Sequence, residues 1–158
     1  AMVRGLVGAL CAAVLIGSAA PAAAQDLFSP VIVVNDRAVT GWEIDQRQRM
    51  LAFFNTPGDL ARLARTQLVE ERLKRQELDR VSAALTEQGL ARALEEFAGR
   101  AGLSTDQFVA LLAQNGIDRQ TLVDYVTINT IWRDYIRSRF GDRVSIGDGE
   151  VDQRLAQD

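Results

Sequence analysis

Apolar residues recur at helical spacing between residues 40 and 140, and polar capping residues divide this stretch into separate segments. The clearest apolar stripe follows the capping residue Thr86 and consists of Leu90, Ala93, Leu94 and Phe97. These positions, i, i+3, i+4 and i+7, lie on one face of a helix and are typical of packing against a core. The pattern predicts a mainly α-helical fold with about five helices.

The expected helix starts carry side chains that can hydrogen-bond to the backbone. Thr40 with Glu43 and Ser104 with Gln107 have the spacing of capping boxes, in which two side chains satisfy two backbone N–H groups. Proline lacks an N–H and suits the first position of a helix. Pro57 therefore predicts the start of the second helix.

The expected helix ends carry glycine, which favours the left-handed backbone found there. The helices are predicted to end near Gly102, Gly116 and Gly141. Residues 147–158 resemble the opening turns of one more helix.

Two pairs of opposite charge lie on the predicted second helix. Glu70 and Lys74, and likewise Glu71 and Arg75, are four residues apart, a spacing that supports a helix. We expect both pairs to lie on solvated faces.

A short β-hairpin is predicted ahead of the first helix. Residues 31–34 are β-branched, Asn35 and Asp36 favour a turn, and residues 38–40 form a second strand. A weaker strand pattern occurs at residues 144–146.

The start of the chain has the pattern of a secretory signal peptide. Arg4 precedes an uncharged apolar stretch, residues 5–16, and small residues follow as far as Ala24. We expect residues 1–24 to be a signal peptide cleaved after Ala24, with Ala1 as an artefact.

A membrane anchor is the alternative interpretation of the same segment, since a span requires about 20 apolar residues. Residues 5–24 have that length, but Pro21 and the alanines around it weaken the apolar character of the second half. Cleavage and export of the remainder are therefore expected.

Cleavage would leave residues 25–158 without cysteine or histidine, because Cys11 is the only cysteine and the chain has no histidine. This composition excludes a Ser-His-Asp triad, a thiolate nucleophile and a His/Cys zinc site in the remainder. No glycine-rich phosphate loop is present, and the mildly acidic balance argues against a nucleic-acid-binding face. We expect no catalytic residues, metal, nucleotide, other cofactor or nucleic-acid partner.

Large apolar residues on two of the predicted helices allow two interpretations. They can fill the core, or they can line an exposed groove that binds unfolded chains. The second interpretation gives the candidate client-binding residues Trp42, Met50, Phe53, Phe54, Tyr125, Trp132 and Tyr135.

Several segments occur in an order that resembles a known family. Residues 31–40, VIVVNDRAVT, lead into residues 41–45, GWEID, and residues 67–77 read QLVEERLKRQE. A short helix opens at residues 103–108 and a long one at residues 116–118. The chain resembles the N-terminal domain of the SurA family of periplasmic chaperones, which are also parvulin-type peptidyl-prolyl isomerases.

The resemblance implies an ATP-independent chaperone domain, or holdase, that binds unfolded outer-membrane polypeptides in the periplasm. It implies that residues 25–145 form the helical chaperone domain and that residues 146–158 begin a linker or helix toward a downstream domain. The isomerase activity of the family belongs to a parvulin domain, which is absent from this chain. No enzymatic activity is therefore expected of these residues.

Three alternatives remain open from the sequence. The chain can be the N-terminal part of an isomerase whose parvulin domain lies outside it, a membrane-anchored relative, or a helical module that binds a partner but no client. In the family, a C-terminal segment packs on the N-terminal domain, and without it the hairpin edge near residues 31–40 is bare. Such an edge recruits other chains, so self-association is a further expectation.

Overall fold

The computed structural model describes the backbone of residues 27–155 and the side chains of residues 27–141. Its elements are, in chain order, β1 (Pro30–Val34), β2 (Arg37–Thr40), α1 (Gly41–Phe53), α2 (Leu60–Arg80), α3 (Glu87–Gly99), α4 (Thr105–Gln114) and α5 (Arg119–Leu155). The predicted mainly helical fold, with five helices after one N-terminal hairpin, is confirmed. The predicted signal peptide, residues 1–24, lies outside the described residues.

β1 and β2 form an antiparallel hairpin, as predicted. Its turn consists of Asn35 and Asp36, whose φ angles of 46° and 69° lie in the left-handed region. This backbone matches the right-handed twist of a two-residue hairpin, and asparagine and aspartate tolerate it well. The buried side chain of Val39 anchors the hairpin on α1 and α2.

Both predicted capping boxes form. Thr40 N–H donates to Glu43 Oε1 and Glu43 N–H donates to Thr40 Oγ1, each at 3.2 Å, which fixes the start of α1. Ser104 and Gln107 make the equivalent bonds at 3.0 and 3.2 Å and start α4. Because each box spans only four residues, sequence spacing alone predicts it.

α2 starts later than the sequence predicts. Pro57 does not take the first helical position, because Gly58 follows it with φ at +99°, outside the helical region. Asp59 caps the helix instead, and its Oδ1 accepts a hydrogen bond from the N–H of Arg62 at 3.1 Å. The first helical residue is Leu60.

Gly141 does not end the fifth helix, so that prediction is wrong. α5 has 37 residues, about 55 Å at 1.5 Å per residue. It includes residues 144–146, which are therefore not a strand, and residues 147–155, which continue α5 and do not begin a further helix. Gly102 and Gly116 adopt the left-handed backbone, with φ at 72° and 71°, whereas Gly141 does not. Among residues 27–155, no helix combines the length and apolar character that a bilayer-spanning segment requires.

Three clusters of buried side chains hold the helices together. One cluster joins the hairpin to α1 and α2, and another joins α2 to α5. The largest joins α1, α3, α4 and α5, and its buried members are Met50, Ala93, Leu94, Ala98, Phe108, Leu112, Ile117, Leu122 and Val126. α5 contributes to two of these clusters and is the element on which most of the other helices pack.

Candidate functional site

The buried amide of Gln46 fixes α1 against the start of α5. Its Oε1 accepts hydrogen bonds from Asp118 N–H at 2.8 Å and from Thr121 Oγ1 at 2.9 Å. Its Nε2 donates to the carbonyl oxygen of Gly116 at 3.1 Å. These bonds satisfy the buried amide and set the position of α5 relative to α1.

The next residue of α1, Arg47, forms a buried ion pair with Glu71 of α2. The distances are 2.7 Å between Nη1 and Oε1 and 2.8 Å between Nη2 and Oε2, so the pairing is bidentate. Nη1 also donates to Gln67 Oε1 at 3.2 Å. The pair therefore joins α1 to α2.

The two ion pairs predicted within α2 do not form among the described residues. Glu71 lies one turn after Leu68 on the buried face of the helix and turns toward α1, away from Arg75. Glu70 and Lys74 form no ion pair, because no oxygen of Glu70 lies within 4 Å of the Lys74 nitrogen. The prediction was wrong because i,i+4 spacing carries no information about partners on another helix.

Three of the candidate client-binding residues pack in or against the core. Met50 is 0% exposed and belongs to the largest cluster, so it has no surface with which to contact a client. Phe53 and Phe54 are half-buried and pack against the same cluster. The Phe53 ring lies 6.1 Å from that of Phe108, and the Phe54 ring lies 5.8 Å from that of Phe97.

The other four candidates, Trp42, Tyr125, Trp132 and Tyr135, line three separate clefts. The structure therefore does not bring the seven candidates together in one groove. All three clefts have α5 as one wall.

The first of these clefts, the α3–α5 groove, has a volume of about 350 Å³ and is lined by Ala93, Glu96, Phe97, Arg100, Tyr125, Val126, Asn129, Thr130, Trp132 and Arg133. The rings of Phe97 and Tyr125 meet edge to face, with centroids 6.0 Å apart. Arg47 lies 5.0 Å from the Tyr125 centroid, so the buried ion pair supports this wall. Aromatic walls beside charged side chains suit the binding of an apolar side chain.

Sequence reasoning missed Phe97 as a residue of this groove. Phe97 completes the apolar stripe of α3, which predicts burial, and the ring is half-buried with its remaining surface in the groove. No feature of the sequence distinguishes it from the buried Leu94 of the same stripe.

The second cleft, the α1–α2–α5 cleft, has a volume of about 380 Å³ and is lined by Arg37, Trp42, Glu43, Arg47, Leu68, Glu71, Arg72, Arg75, Thr121, Asp124, Thr127 and Ile128. Arg72 ties it to the hairpin, because its Nε donates to the carbonyl oxygen of Ala38 at 2.9 Å and its Nη2 pairs with Glu43. Arg37 pairs with Asp79 at 2.6 Å. Several charged groups of the cleft thus already have partners within the fold.

The third cleft lies between α5 and the loop that joins α2 to α3. It has a volume of about 360 Å³ and is lined by Val81, Ala83, Ala84, Leu85, Ile131, Asp134, Tyr135 and Ser138. The hydroxyl of Tyr135 donates to Glu77 Oε1 at 2.7 Å and accepts from Arg139 at 3.0 Å. Hydrogen bonds from Arg80 and, second, from Tyr135 lower the pKa of Glu77 from 4.5 to about 2. The same contact with Glu77 raises the pKa of the Arg80 guanidinium.

The hairpin presents an apolar outer surface. Val33 is 66% exposed and Phe28 is 69% exposed, and Leu27 and Val31 are exposed beside them. The Phe28 ring lies 6.1 Å from that of Trp42, which continues this surface toward the α1–α2–α5 cleft. Within residues 27–155 the sheet has two strands, so each strand has a second edge without a strand partner there.

Comparison with known proteins gives matches to proteins named Chaperone SurA. The chain is 26% identical to the one from Chromohalobacter salexigens over 148 residues, which cover 89% of the chain and 34% of that protein. It is 28% identical to the one from Pseudomonas putida over 152 residues, covering 91% of the chain and 36% of that protein. A protein from Pseudomonas fluorescens is 25% identical over 154 residues, with coverage of 92% and 36%.

The chain spans about a third of the length of these relatives. No family model matches the chain, and no solved structure gives a significant match. The resemblance to the N-terminal part of the SurA chaperones, first indicated by the hairpin and helix motifs, is thus confirmed over about nine-tenths of the chain.

Proposed function

We propose that this chain is an ATP-independent periplasmic holdase domain that binds unfolded outer-membrane polypeptides. The similarity to proteins named Chaperone SurA supports a chaperone role. The observation that carries the proposal is the α3–α5 groove, in which Phe97, Tyr125 and Trp132 lie beside charged side chains. The three aromatic rings offer contact area to apolar side chains of an unfolded chain and do not depend on one client sequence.

Binding is passive in this proposal, because burial of apolar client surface supplies the free energy. Burying one large apolar side chain contributes about 1.5–3 kcal/mol, and ordering each bound side chain costs about 0.5–1.5 kcal/mol. A single groove therefore holds a client weakly. Occupation of further clefts on the same chain raises the affinity through effective concentration and still allows stepwise release.

The proposal assigns residues 25–145 to the chaperone domain, after a signal peptide cleaved behind Ala24, and residues 146–158 to the start of a link toward a downstream domain. The signal pattern and the similarity to SurA chaperones support a periplasmic location. The domain catalyses no reaction in this proposal, and isomerase activity belongs to a parvulin domain outside the chain. Fractionation of the expressed protein distinguishes the exported form from a membrane-anchored one.

Self-association through the hairpin edge is the second part of the proposal. It is supported by the exposed apolar side chains of Val31 and Val33 on β1, since an apolar edge strand pairs readily with another chain. Sedimentation velocity at rising protein concentration tests it. We expect the fraction of dimer to rise with protein concentration, and Val33→Lys to abolish the dimer. A monomer at all concentrations would exclude self-association.

The holdase activity is tested by diluting a urea-unfolded outer-membrane β-barrel protein into buffer and following its aggregation by light scattering. We expect the chain to suppress aggregation, and Trp132→Ala to require a several-fold larger molar excess because it removes one wall of the groove.

Leu111→Ala is the matched control, because Leu111 is an exposed apolar residue of α4 that lines none of the three clefts. Circular dichroism shows whether both variants remain folded. Absence of suppression by the unsubstituted chain at several-fold molar excess would refute the proposal.

A further inference from the structure

Arg75 is a half-buried cation on α2. Its predicted partner, Glu71, does not pair with it. Glu71, four residues before it, is engaged by Arg47 in the buried ion pair. Arg75 itself makes no hydrogen bond or ion pair with any residue that the structure describes. A partly desolvated guanidinium without a counter-ion favours the approach of an anion.

The other three guanidiniums of the α1–α2–α5 cleft are already paired. Arg37 pairs with Asp79, Arg47 with Glu71 and Arg72 with Glu43. They neutralise carboxylates of the fold and leave Arg75 as the cation of this cleft that is available to a ligand.

Asp124 of α5 is a carboxylate of the same cleft. Of the carboxylates that line the cleft, it alone has no cationic partner within 4 Å among the described residues. It is exposed and its Oδ1 accepts a hydrogen bond from Gln120 at 2.7 Å. Water screens an exposed carboxylate more effectively than a half-buried guanidinium. Asp124 therefore opposes the charge of Arg75 only through a solvent-screened carboxylate.

Apolar side chains line the same cleft as Arg75. Trp42 of α1, Leu68 of α2 and Ile128 of α5 line the same cleft of about 380 Å³. A guanidinium can bind a carboxylate through two parallel N–H bonds, and an indole ring offers an apolar face to a neighbouring side chain. The cleft thus offers two kinds of contact to one ligand.

We infer that the α1–α2–α5 cleft binds a carboxylate with an adjacent apolar side chain in an unfolded polypeptide. The carboxylate binds Arg75 and the apolar side chain packs against Trp42. The inference rests on the proposed function only for the polypeptide nature of the ligand, and it concerns a different cleft from the α3–α5 groove. It gives the chain a preference for carboxylates, of chain ends or of acidic residues, that apolar binding alone does not supply.

The experiment uses calorimetric titration of the chain with a short, unstructured, N-acetylated peptide that ends in phenylalanine. The peptide is made with a free terminal carboxylate, with a terminal amide, and with a terminal amide plus glutamate before the phenylalanine. We expect the plain amide to bind at least about tenfold more weakly than the best carboxylate form, because it loses the charge-assisted hydrogen bonds to Arg75. The difference should shrink at about 0.5 M salt.

The three peptides also identify the source of the carboxylate. Preference for the free terminus alone assigns the cleft to chain ends, whereas equal binding of both carboxylate forms assigns it to acidic residues in general. Equal binding of all three peptides overturns the inference.

Substitutions place the effect at the cleft. Arg75→Gln should abolish the preference for carboxylate, and Asp124→Asn should strengthen it. The matched control Arg65→Gln removes an exposed charge from the same helix outside the cleft and should change nothing. If Arg75→Gln unfolds, Arg75→Lys replaces it, because lysine keeps the charge but cannot form the two parallel bonds. Arg75→Lys should lower the preference for carboxylate. An unchanged preference in whichever of the two variants is folded overturns the inference.

The aggregation assay separates this inference from the holdase proposal. Suppression of aggregation without carboxylate preference leaves the holdase proposal intact and refutes the cleft assignment. Carboxylate preference that Arg75→Gln abolishes, in a chain that does not suppress aggregation, supports the cleft and refutes the holdase proposal.

Discussion

Arg47 and Glu71 are the most deeply buried charges among the described residues, with side chains 3% and 9% exposed and two parallel hydrogen bonds of 2.7 and 2.8 Å. Each side chain compensates the charge of the other at a position that water does not reach. The pair aligns α1 with α2, and the contact of Arg47 with the ring of Tyr125 extends the alignment to α5.

Glu71→Gln should lower the free energy of unfolding by about 3–5 kcal/mol, because it leaves the charge of Arg47 buried without a partner. Urea denaturation followed by circular dichroism measures the change. Asp45→Asn is the control, since it breaks the exposed Asp45–Arg49 pair and should cost at most about 1 kcal/mol. Equal losses in the two variants would show that the pair is not desolvated.

Leu112→Ala should destabilise the chain by about 2–5 kcal/mol, because Leu112 is 0% exposed in the largest cluster and its removal leaves a cavity. Leu73→Ala makes the same chemical change at a residue that is 48% exposed, and it should cost clearly less. Thermal unfolding of both variants provides the comparison. Similar melting temperatures would contradict the position assigned to α4.

Stability should fall between about pH 5 and pH 2 through Glu77. Its folded pKa of about 2 lies below the ordinary value of 4.5, so the ionised form stabilises the fold above the ordinary pKa and this contribution disappears as pH falls through the folded pKa. The stability difference between the chain and Glu77→Gln should therefore narrow across this range. A difference that is constant with pH would show that Arg80 and Tyr135 do not hold the carboxylate.

Two glycine substitutions should change the stability of the fold in opposite directions. Gly116→Ala should destabilise by at least about 1–2 kcal/mol, because Gly116 has φ at +71°. Gly99→Ala should stabilise by about 0.4–1 kcal/mol, because its backbone is helical and a Cβ would meet no atom within 4 Å. Urea midpoints of the two variants give the signs directly.

The features predicted from sequence are those whose partners lie within a few residues. The hairpin turn at Asn35 and Asp36 and the capping box of Thr40 and Glu43 depend on local backbone preference, and both form as expected. The start of α2 was missed because Gly58 overrides the preference of the proline before it.

The candidate site was harder to predict because it depends on contacts between helices. Trp42 and Met50 lie on the same helix, yet one lines a cleft and the other is fully buried, according to which neighbours pack there. Glu71 did carry a signal, since it follows Leu68 by three residues on the apolar stripe of α2, where a carboxylate requires a buried partner. Sequence alone does not name that partner.

Because α5 forms one wall of all three clefts, their widths are not independent. The rings of Trp132 and Tyr135 on this helix lie 5.5 Å apart, yet they line two different clefts. Any displacement of α5 would therefore alter all three clefts together, because they share this wall.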